Sequence, residues 1–322
     1  MEGESQMRSP LLIYLLLVIT MVFWGSAFVV SKISVGAVQV QVAAFLRFAF
    51  GTVFCFILLF GLRLRNPQVR LVPRGSWWGT FNLGVIGVAI YNLLFFGALA
   101  FTKASDGSVI IPTLSPVITV LLAAVFLNER LGWQRSLGLT SSLVGAFFFF
   151  LAVSTYESGM SDRMIGDLLF LAGAFCWAVY TLMSKKILGK VDPLLLSAYS
   201  MLFGTLVLGL IALPDMVTIE WGSYGNDFWL YQIYLGIFPT VLASWFYYVG
   251  VKGIGPSRAV MFMNLVPIFG LLLSAIILDE WFQPIQFIGS GFMLLGVWMV
   301  NRRGVPKKEL DRRDQERVEL NG

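Results

Sequence analysis

Ten long apolar segments constrain the fold more than any other feature of the sequence. They cover approximately residues 11–33, 39–60, 78–100, 107–127, 134–153, 165–186, 194–213, 230–250, 258–278 and 284–300. A helix that crosses the hydrocarbon core of a bilayer needs about 20 such residues, whereas a membrane β-barrel shows alternating segments of about ten. Charged residues make up only 13% of the chain and cluster between the segments. The pattern therefore predicts an all-α membrane protein with ten transmembrane helices.

Basic residues predict how these helices are oriented. If successive segments cross the membrane in alternating directions, nineteen of the 23 Lys and Arg residues fall on the side of the two termini. Lys32, Lys103 and Arg163 fall on the opposite side, and Arg47 lies within a segment. Because positively charged loops mark the cytoplasmic side, we expect a multi-pass protein of the cytoplasmic (plasma) membrane with both termini in the cytoplasm. The same bias explains the net charge of +5 without a nucleic-acid partner.

The two halves of the sequence repeat each other. The segment PTLSPVITVLLAAVFLNERL begins at Pro112 and MNLVPIFGLLLSAIILDEWF at Met263, and both have proline in fifth place and glutamate (Glu129, Glu280) in eighteenth. Further matches occur at offsets of 151 to 153 residues, among them Trp24 with Trp177. Five helices per half is an odd number, so the second repeat must enter the membrane inverted relative to the first.

Inverted repeats are typical of transporters, in which they give one bundle two equivalent packings that open to opposite sides. The alternative is a duplication that was retained because it folds well. We expect a cytoplasmic N-terminus at 1–10, a first five-helix repeat at 11–154, a second, inverted repeat at 164–300 and a charged cytoplasmic tail at 301–322.

Several short motifs together resemble a known family. They are the Trp and Ser-Lys pairs in the first helix of each half, Leu46-Arg47-Phe48 in the second helix, and the repeated proline followed by a helix-ending glutamate. These residues resemble EamA-type transporters of the drug/metabolite transporter superfamily. The resemblance implies a ten-helix bundle that moves small metabolites and often exports amino acids. Ser200 stands where the first half has Arg47, so we expect the halves to differ in function.

Aromatic and small polar residues inside the segments are the candidates for substrate binding. We expect a wall of Trp24, Tyr91, Trp177 and Tyr248, with polar contacts from Asn92, Ser115, Ser244 and Asn264. Aromatic faces with few fixed charges favour a neutral or zwitterionic, partly apolar solute. The alternative is ordinary packing, since small polar residues are common where membrane helices meet.

Four charged residues are candidates for gating or for structural roles: Arg47, Asp106, Glu129 and Glu280. Arg47 could pair with Asp106 near the outer surface, act as an outer gate or clamp a carboxylate, for which its planar fork is suited. Glu129 is expected to pair with a basic neighbour, whereas the sequence names no partner for Glu280. Lys32 is expected to reach toward the membrane surface, with a gating role as the alternative.

We therefore predict a secondary transporter of small organic metabolites, exporting amino acids or related solutes by alternating access. A channel is the first alternative, although no ring of charges is evident. A membrane-embedded enzyme is the second, and without histidine it would depend on an unusual Ser–Lys pair. We expect no cofactor and no metal. The expected partners are the solute and the lipid bilayer; proton coupling, substrate exchange or uniport, and a monomer or homodimer, all stay open.

Overall fold

The computed structural model describes residues 10–65, 74–126, 132–156, 160–188, 191, 193–254, 259 and 262–301. Ten long helical units and no β-strand occur in these residues. They are α1 (Pro10–Ala37), α2 (Val40–Arg65), α3 (Trp77–Gly84, Val85–Ile90 and Tyr91–Phe101 in succession), α4 (Ala104–Phe126), α5 (Trp133–Tyr156), α6 (Met160–Leu188), α7 (Pro193–Met216), α8 (Asn226–Leu235, Gly236–Leu242 and Ala243–Ile254 in succession), α9 (Leu265–Leu278) and α10 (Pro284–Asn301). The predicted ten-helix fold class is confirmed.

The helices have the length and the surface of membrane spans. Seven of them (α1 to α4 and α6 to α8) are long and apolar enough to cross a bilayer, and α5, α9 and α10 contain shorter apolar stretches. Large apolar side chains such as Val53, Phe60, Phe147, Leu210 and Ile276 are exposed on the outside of the bundle. In a membrane this surface faces lipid tails, so its exposure carries no cost. The predicted segment 258–278 lies partly outside the described residues.

The helix pairings reveal a pseudo-twofold axis between the halves. Helix α4 packs on α6 as α9 packs on α1, and α3 packs on α6 as α8 packs on α1. The pairs α2–α7, α4–α9 and α5–α10 join equivalent helices of the two halves. Because each half contains five crossings, this axis relates helices that run in opposite directions. The predicted inverted arrangement is therefore confirmed.

Close contacts between equivalent residues mark the position of this axis. The hydroxyl oxygens of Thr52 and Thr205, which are 153 residues apart, lie 2.8 Å from each other. A Cβ atom placed on Gly51 would lie 3.2 Å from the carbonyl oxygen of Gly236, and one placed on Gly204 would lie 2.6 Å from that of Gly84. Small residues allow membrane helices to approach this closely, so the glycines bring α2, α3, α7 and α8 together at the centre.

Two wide helical turns occupy equivalent places in α3 and α8. Val85–Ile90 and Gly236–Leu242 both have π-helical geometry, in which hydrogen bonds span five residues. Such turns inside α-helices are frequent at functional sites. They immediately precede Tyr91 and Ala243, so they set the direction in which the following candidate side chains project.

Candidate functional site

Arg47 lies in an interior pocket of aromatic rings rather than at the membrane surface. Its guanidinium carbon is 5.5 Å from the ring centre of Phe48, 5.7 Å from that of Phe95 and 6.0 Å from that of Phe96. Its Nε donates a hydrogen bond of 3.0 Å to the hydroxyl of Thr240. Phe95, Phe96 and Thr240 are buried, so the cation is directed into the bundle. Among the described residues no acidic side chain pairs with it.

Tyr91 and Trp177 form one aromatic cluster with Tyr180. The ring centres of Tyr91 and Trp177 are 5.2 Å apart, and those of Trp177 and Tyr180 are 5.4 Å apart. Gly87 makes room for this cluster, since a Cβ atom there would collide with the Tyr180 ring. Tyr91 is close enough to Arg47 for the two side chains to interact electrostatically. The predicted pairing of Tyr91 with Trp177 thus lies beside the buried cation.

Asn92 is buried one helical turn from Phe96. Its side-chain nitrogen donates a hydrogen bond of 2.8 Å to the carbonyl oxygen of Val88 in the same helix. Its side-chain oxygen has no hydrogen-bond partner within the described part of the chain. An amide oxygen left unpaired inside a membrane bundle is costly, so this acceptor needs either packing or a ligand to explain it.

Trp24 belongs to a second aromatic group. Its indole nitrogen donates a hydrogen bond of 3.1 Å to the carbonyl oxygen of Pro239, and its ring centre is 5.3 Å from that of Tyr247. The side chain of Tyr248, which was predicted to share a wall with Trp24, lies outside the described residues. Sequence reasoning gave Tyr247 no role, because neighbouring tyrosines on one helix give no signal of which one faces inward.

The smaller polar candidates make local hydrogen bonds. The Ser115 hydroxyl donates to the carbonyl oxygen of Ile111 at 2.6 Å and is buried, whereas the exposed Ser244 donates to that of Thr240 at 2.8 Å. Asn264 is half-buried at the start of α9 and caps no backbone group. The hydroxyl donors of Ser115 and Ser244 are therefore satisfied within their own helices, which leaves their oxygen atoms as acceptors for a solute, whereas the side-chain amide of Asn264 makes no hydrogen bond to a described residue.

A buried network of charges holds the N-terminal ends of α4 and α6 together. The Arg163 guanidinium donates two hydrogen bonds, of 2.7 and 2.8 Å, to the two carboxylate oxygens of Asp106. The Thr102 hydroxyl lies 2.9 Å from one oxygen of Asp106 and 2.9 Å from one of Asp167. The expected pairing of Asp106 with Arg47 is therefore wrong. Arg163, from the following half of the chain, is the partner because α4 packs directly on α6.

Glu280 and Lys32 bind backbone groups at helix ends. Asp279 adopts a left-handed conformation (φ 55°) that ends α9. The carboxylate of Glu280 then accepts hydrogen bonds from the backbone N–H groups of Ala104 (3.2 Å) and Ser105 (2.9 Å) at the start of α4. A helix N-terminus carries partial positive charge, which supplies the partner that the sequence could not name.

Lys32 binds backbone carbonyl groups at the C-terminal end of α3. Its ammonium group donates to the carbonyl oxygens of Leu99 at 2.5 Å and Thr102 at 2.7 Å. The cation therefore satisfies carbonyls that have no partner within their own helix, and its reach toward the membrane surface stays a prediction. Glu129, the repeat equivalent of Glu280, lies outside the described residues.

Comparisons with known proteins assign this architecture to a family. The EamA-like transporter family matches residues 11–151 and 164–302. The chain is 30% identical to an uncharacterized transporter of Archaeoglobus fulgidus, over 90% of this chain and 99% of that protein. It is 27% identical to the uncharacterized transporter YyaM of Bacillus subtilis, over 88% and 92% of the two chains.

One further relative has a name that states a function, and one solved structure has a similar fold. The chain is 29% identical to a probable terminal-alkyne amino-acid exporter of Streptantibioticus cattleyicolor, over 91% of this chain and 94% of that one. A solved crystal structure with 20% identity superposes with a TM-score of 0.60 and covers 90% of this chain and 96% of its own, which supports the fold. The resemblance seen in the sequence is confirmed: the chain is a multi-pass membrane transporter that belongs to the EamA-like transporter family.

Proposed function

We propose that this transporter is a secondary carrier that exports amino acids or related, partly apolar solutes by alternating access. The observation that carries the proposal is the pairing of helices about the pseudo-twofold axis. The largest contacts between different helices of the two halves come in equivalent pairs, α4–α6 with α9–α1 and α3–α6 with α8–α1. Two equivalent sets of contacts let one bundle adopt two packings of similar energy that open to opposite sides.

The proposed binding region lies where α2, α3, α6 and α8 meet. It combines Arg47, the Tyr91–Trp177 cluster and the unpaired oxygen of Asn92. Aromatic faces favour an apolar or zwitterionic solute. The amino-acid exporter of Streptantibioticus cattleyicolor, which is 29% identical, supports the same substrate class. Trp24, Ser115, Ser244, Tyr248 and Asn264 complete the proposed lining.

The charged residues bear on the orientation of the protein in the membrane and on how transport is driven. We propose that both termini are cytoplasmic, which puts Asp106, Arg163 and Glu280 at the outer side. These residues join α4 to α6 and to the end of α9, so they hold the outer ends of the helices closed. Asp106 lies in the first turn of α4 and is fully buried. Proton coupling would have to act through such end-of-helix acids; substrate exchange and uniport are the alternatives.

Counterflow in proteoliposomes tests the carrier proposal. Purified protein is reconstituted with about 10 mM unlabelled L-leucine or L-phenylalanine inside, roughly tenfold above the upper end of typical half-saturation concentrations for enzymes, and uptake of trace labelled amino acid is followed. A carrier gives a transient accumulation above equilibrium, because the loaded site returns faster than the empty one. Uptake that is independent of internal solute and does not saturate would identify a channel. Protein-free liposomes provide the background.

A further inference from the structure

The strongest unexplained feature of the bundle is Arg47, an interior cation for which no described residue supplies a counter-charge. Resting on the proposed carrier function, we propose that Arg47 binds the carboxylate group of the solute. The transported compounds would then be amino acids or organic acids with an apolar remainder. The site would not accept amides, esters or amines of the same shape with comparable affinity.

The cost of placing Arg47 in the membrane indicates that it has a partner in the working protein. Arg47 is the eighth residue of α2, in the interior of the bundle, where its neighbours Phe95 and Phe96 are buried. A cation inside the membrane is disfavoured, and such residues face a partner or a solute path. Asp106 and Glu280 are already engaged, the first by Arg163 and the second by the start of α4. An anionic solute that enters and leaves the site would supply a counter-charge for Arg47.

Thr240 fixes the orientation of the guanidinium. Its hydroxyl accepts the hydrogen bond from Arg47 Nε at 3.0 Å and donates its own proton to the carbonyl oxygen of Leu235 at 2.7 Å. With Nε engaged, the two terminal amino groups of Arg47 donate no hydrogen bond to any described residue. They form the planar fork that matches the two oxygens of a carboxylate. A side chain held in its binding geometry loses little entropy when the ligand arrives.

The surroundings of the fork suit a carboxylate that carries an apolar group. The rings of Phe48, Phe95 and Phe96 lie 5.5 to 6.0 Å from the guanidinium carbon, which stabilises the cation while no anion is bound. Tyr91 extends this apolar surface toward Trp177, 5.2 Å away. A hydrophobic side chain attached to the bound carboxylate therefore has a surface to contact.

Only one half of the protein carries this cation. The equivalent position in the second half is Ser200, which is buried and whose hydroxyl lies 3.4 Å from the carbonyl oxygen of Thr80. The pseudo-twofold axis thus relates a charged residue to a packed neutral one. One carboxylate per transport cycle is the expected stoichiometry.

Matched ligands test whether Arg47 recognises a carboxylate. Binding of L-phenylalanine, 3-phenylpropionate, L-phenylalaninamide and L-leucine is measured by thermal shift on purified protein in nanodiscs. The carboxylates are expected to raise the melting temperature of the unchanged protein, and the amide to have little effect. Arg47→Gln should weaken carboxylate binding by about tenfold to a hundredfold, the range for a hydrogen bond to a charged group. Arg312→Gln, which removes one charge from the polar tail, should bind like the unchanged protein.

The same variants separate a binding role from a structural one. Because Arg47 has no described counter-charge, Arg47→Gln should melt without ligand at the same temperature as the unchanged protein or higher. Arg47→Lys should keep part of the carboxylate preference. The proposal is overturned if the amide stabilises as strongly as the acid, if neither carboxylate stabilises the protein, or if Arg47→Gln retains the preference. If amides show trans-stimulated counterflow, the proposal for Arg47 is overturned but the carrier function is retained. If carboxylates bind in an Arg47-dependent way but show no counterflow, the carrier function is overturned.

Discussion

At the scale of single residues, the buried polar groups divide into those that are satisfied and those that are not. Asp106 is fully buried and meets two donors from Arg163, so this pair has the geometry of a structural contact. Arg47 and Asn92, close to the Tyr91–Trp177 cluster, have atoms without a hydrogen-bond partner in the described ranges. Unpaired polar atoms in a membrane interior are expensive, and a bound solute would satisfy them.

Replacement of Trp177 should weaken substrate binding while leaving folding intact. Trp177→Ala removes the ring that contacts Tyr91 and Tyr180. We expect the half-saturation concentration for L-phenylalanine counterflow to rise about tenfold, as for the loss of about 1.4 kcal/mol of binding energy. Trp78→Ala is the control, because that indole is 79% exposed on the outside of the bundle. Equal kinetics in both variants would exclude Trp177 from the site.

Removal of Arg163 should destabilise the protein, because Asp106 would remain as an uncompensated buried charge. We expect Arg163→Gln to cost about 3–5 kcal/mol, which would appear as a strongly lowered melting temperature in nanodiscs. The double variant Arg163→Gln/Asp106→Asn should recover a large part of the loss, since it leaves no charge behind. A double variant as unstable as the single one would show that the two residues do not act as a pair.

At the scale of helices, close approach and helix-end contacts determine the packing. Helices α5 and α10 meet along glycines: a Cβ on Gly289 would lie 2.7 Å from the carbonyl oxygen of Gly145. The hydroxyl of Ser141 reaches across the same contact, 2.9 Å from the carbonyl oxygen of Phe292. Helix ends are joined instead through Glu280 and Lys32, which bind backbone groups of α4 and α3. Small residues thus bring helices together, and charges fix their ends.

Two glycines on α10 offer a matched comparison. Gly289→Ala should destabilise the protein by about 1–3 kcal/mol, the usual cost of an overpacked contact, because α5 and α10 would have to separate. Gly291→Ala, two residues away, points into open space and should leave the melting temperature unchanged or raise it slightly, since alanine favours helix. Thermal unfolding of the two variants in nanodiscs measures the difference. Equal stability would contradict the close α5–α10 contact.

Neutralisation of Glu280 should loosen the start of α4. Glu280→Gln replaces charge-assisted hydrogen bonds to the N–H groups of Ala104 and Ser105 with weaker ones, at a cost of about 1–2 kcal/mol. Faster hydrogen exchange at the start of α4 would report the change. Asp227→Asn is the control: Asp227 is also in the first turn of a helix, but it is exposed. Unchanged exchange in Glu280→Gln would exclude the capping role.

At the scale of the whole molecule, the inverted halves explain why the sequence was informative about the fold. Span length and hydropathy determine the number of crossings, and an odd number per half forces the inversion. The partners of Asp106 and Glu280 were not predictable, because they depend on which helices meet in three dimensions. Arg163 is 57 residues from Asp106 in the sequence, and Ser105 at the start of α4 is 175 residues from Glu280. No local sequence pattern indicates either contact. Tyr91 and Trp177 could be assigned to one aromatic wall because both lie inside apolar segments rather than at the interfaces where aromatic belts occur.

Sided labelling of single cysteines tests the inverted arrangement most directly. Cys55 and Cys176 are replaced by alanine, and one cysteine is introduced at Gly3, Gly225 or Gly322. Gly225, between α7 and α8, has open space around it. A membrane-impermeant maleimide added to intact cells should label only the Gly225 position, and the two terminal positions should react only after the membrane is opened. Terminal cysteines that react from opposite faces would contradict two inverted five-helix halves.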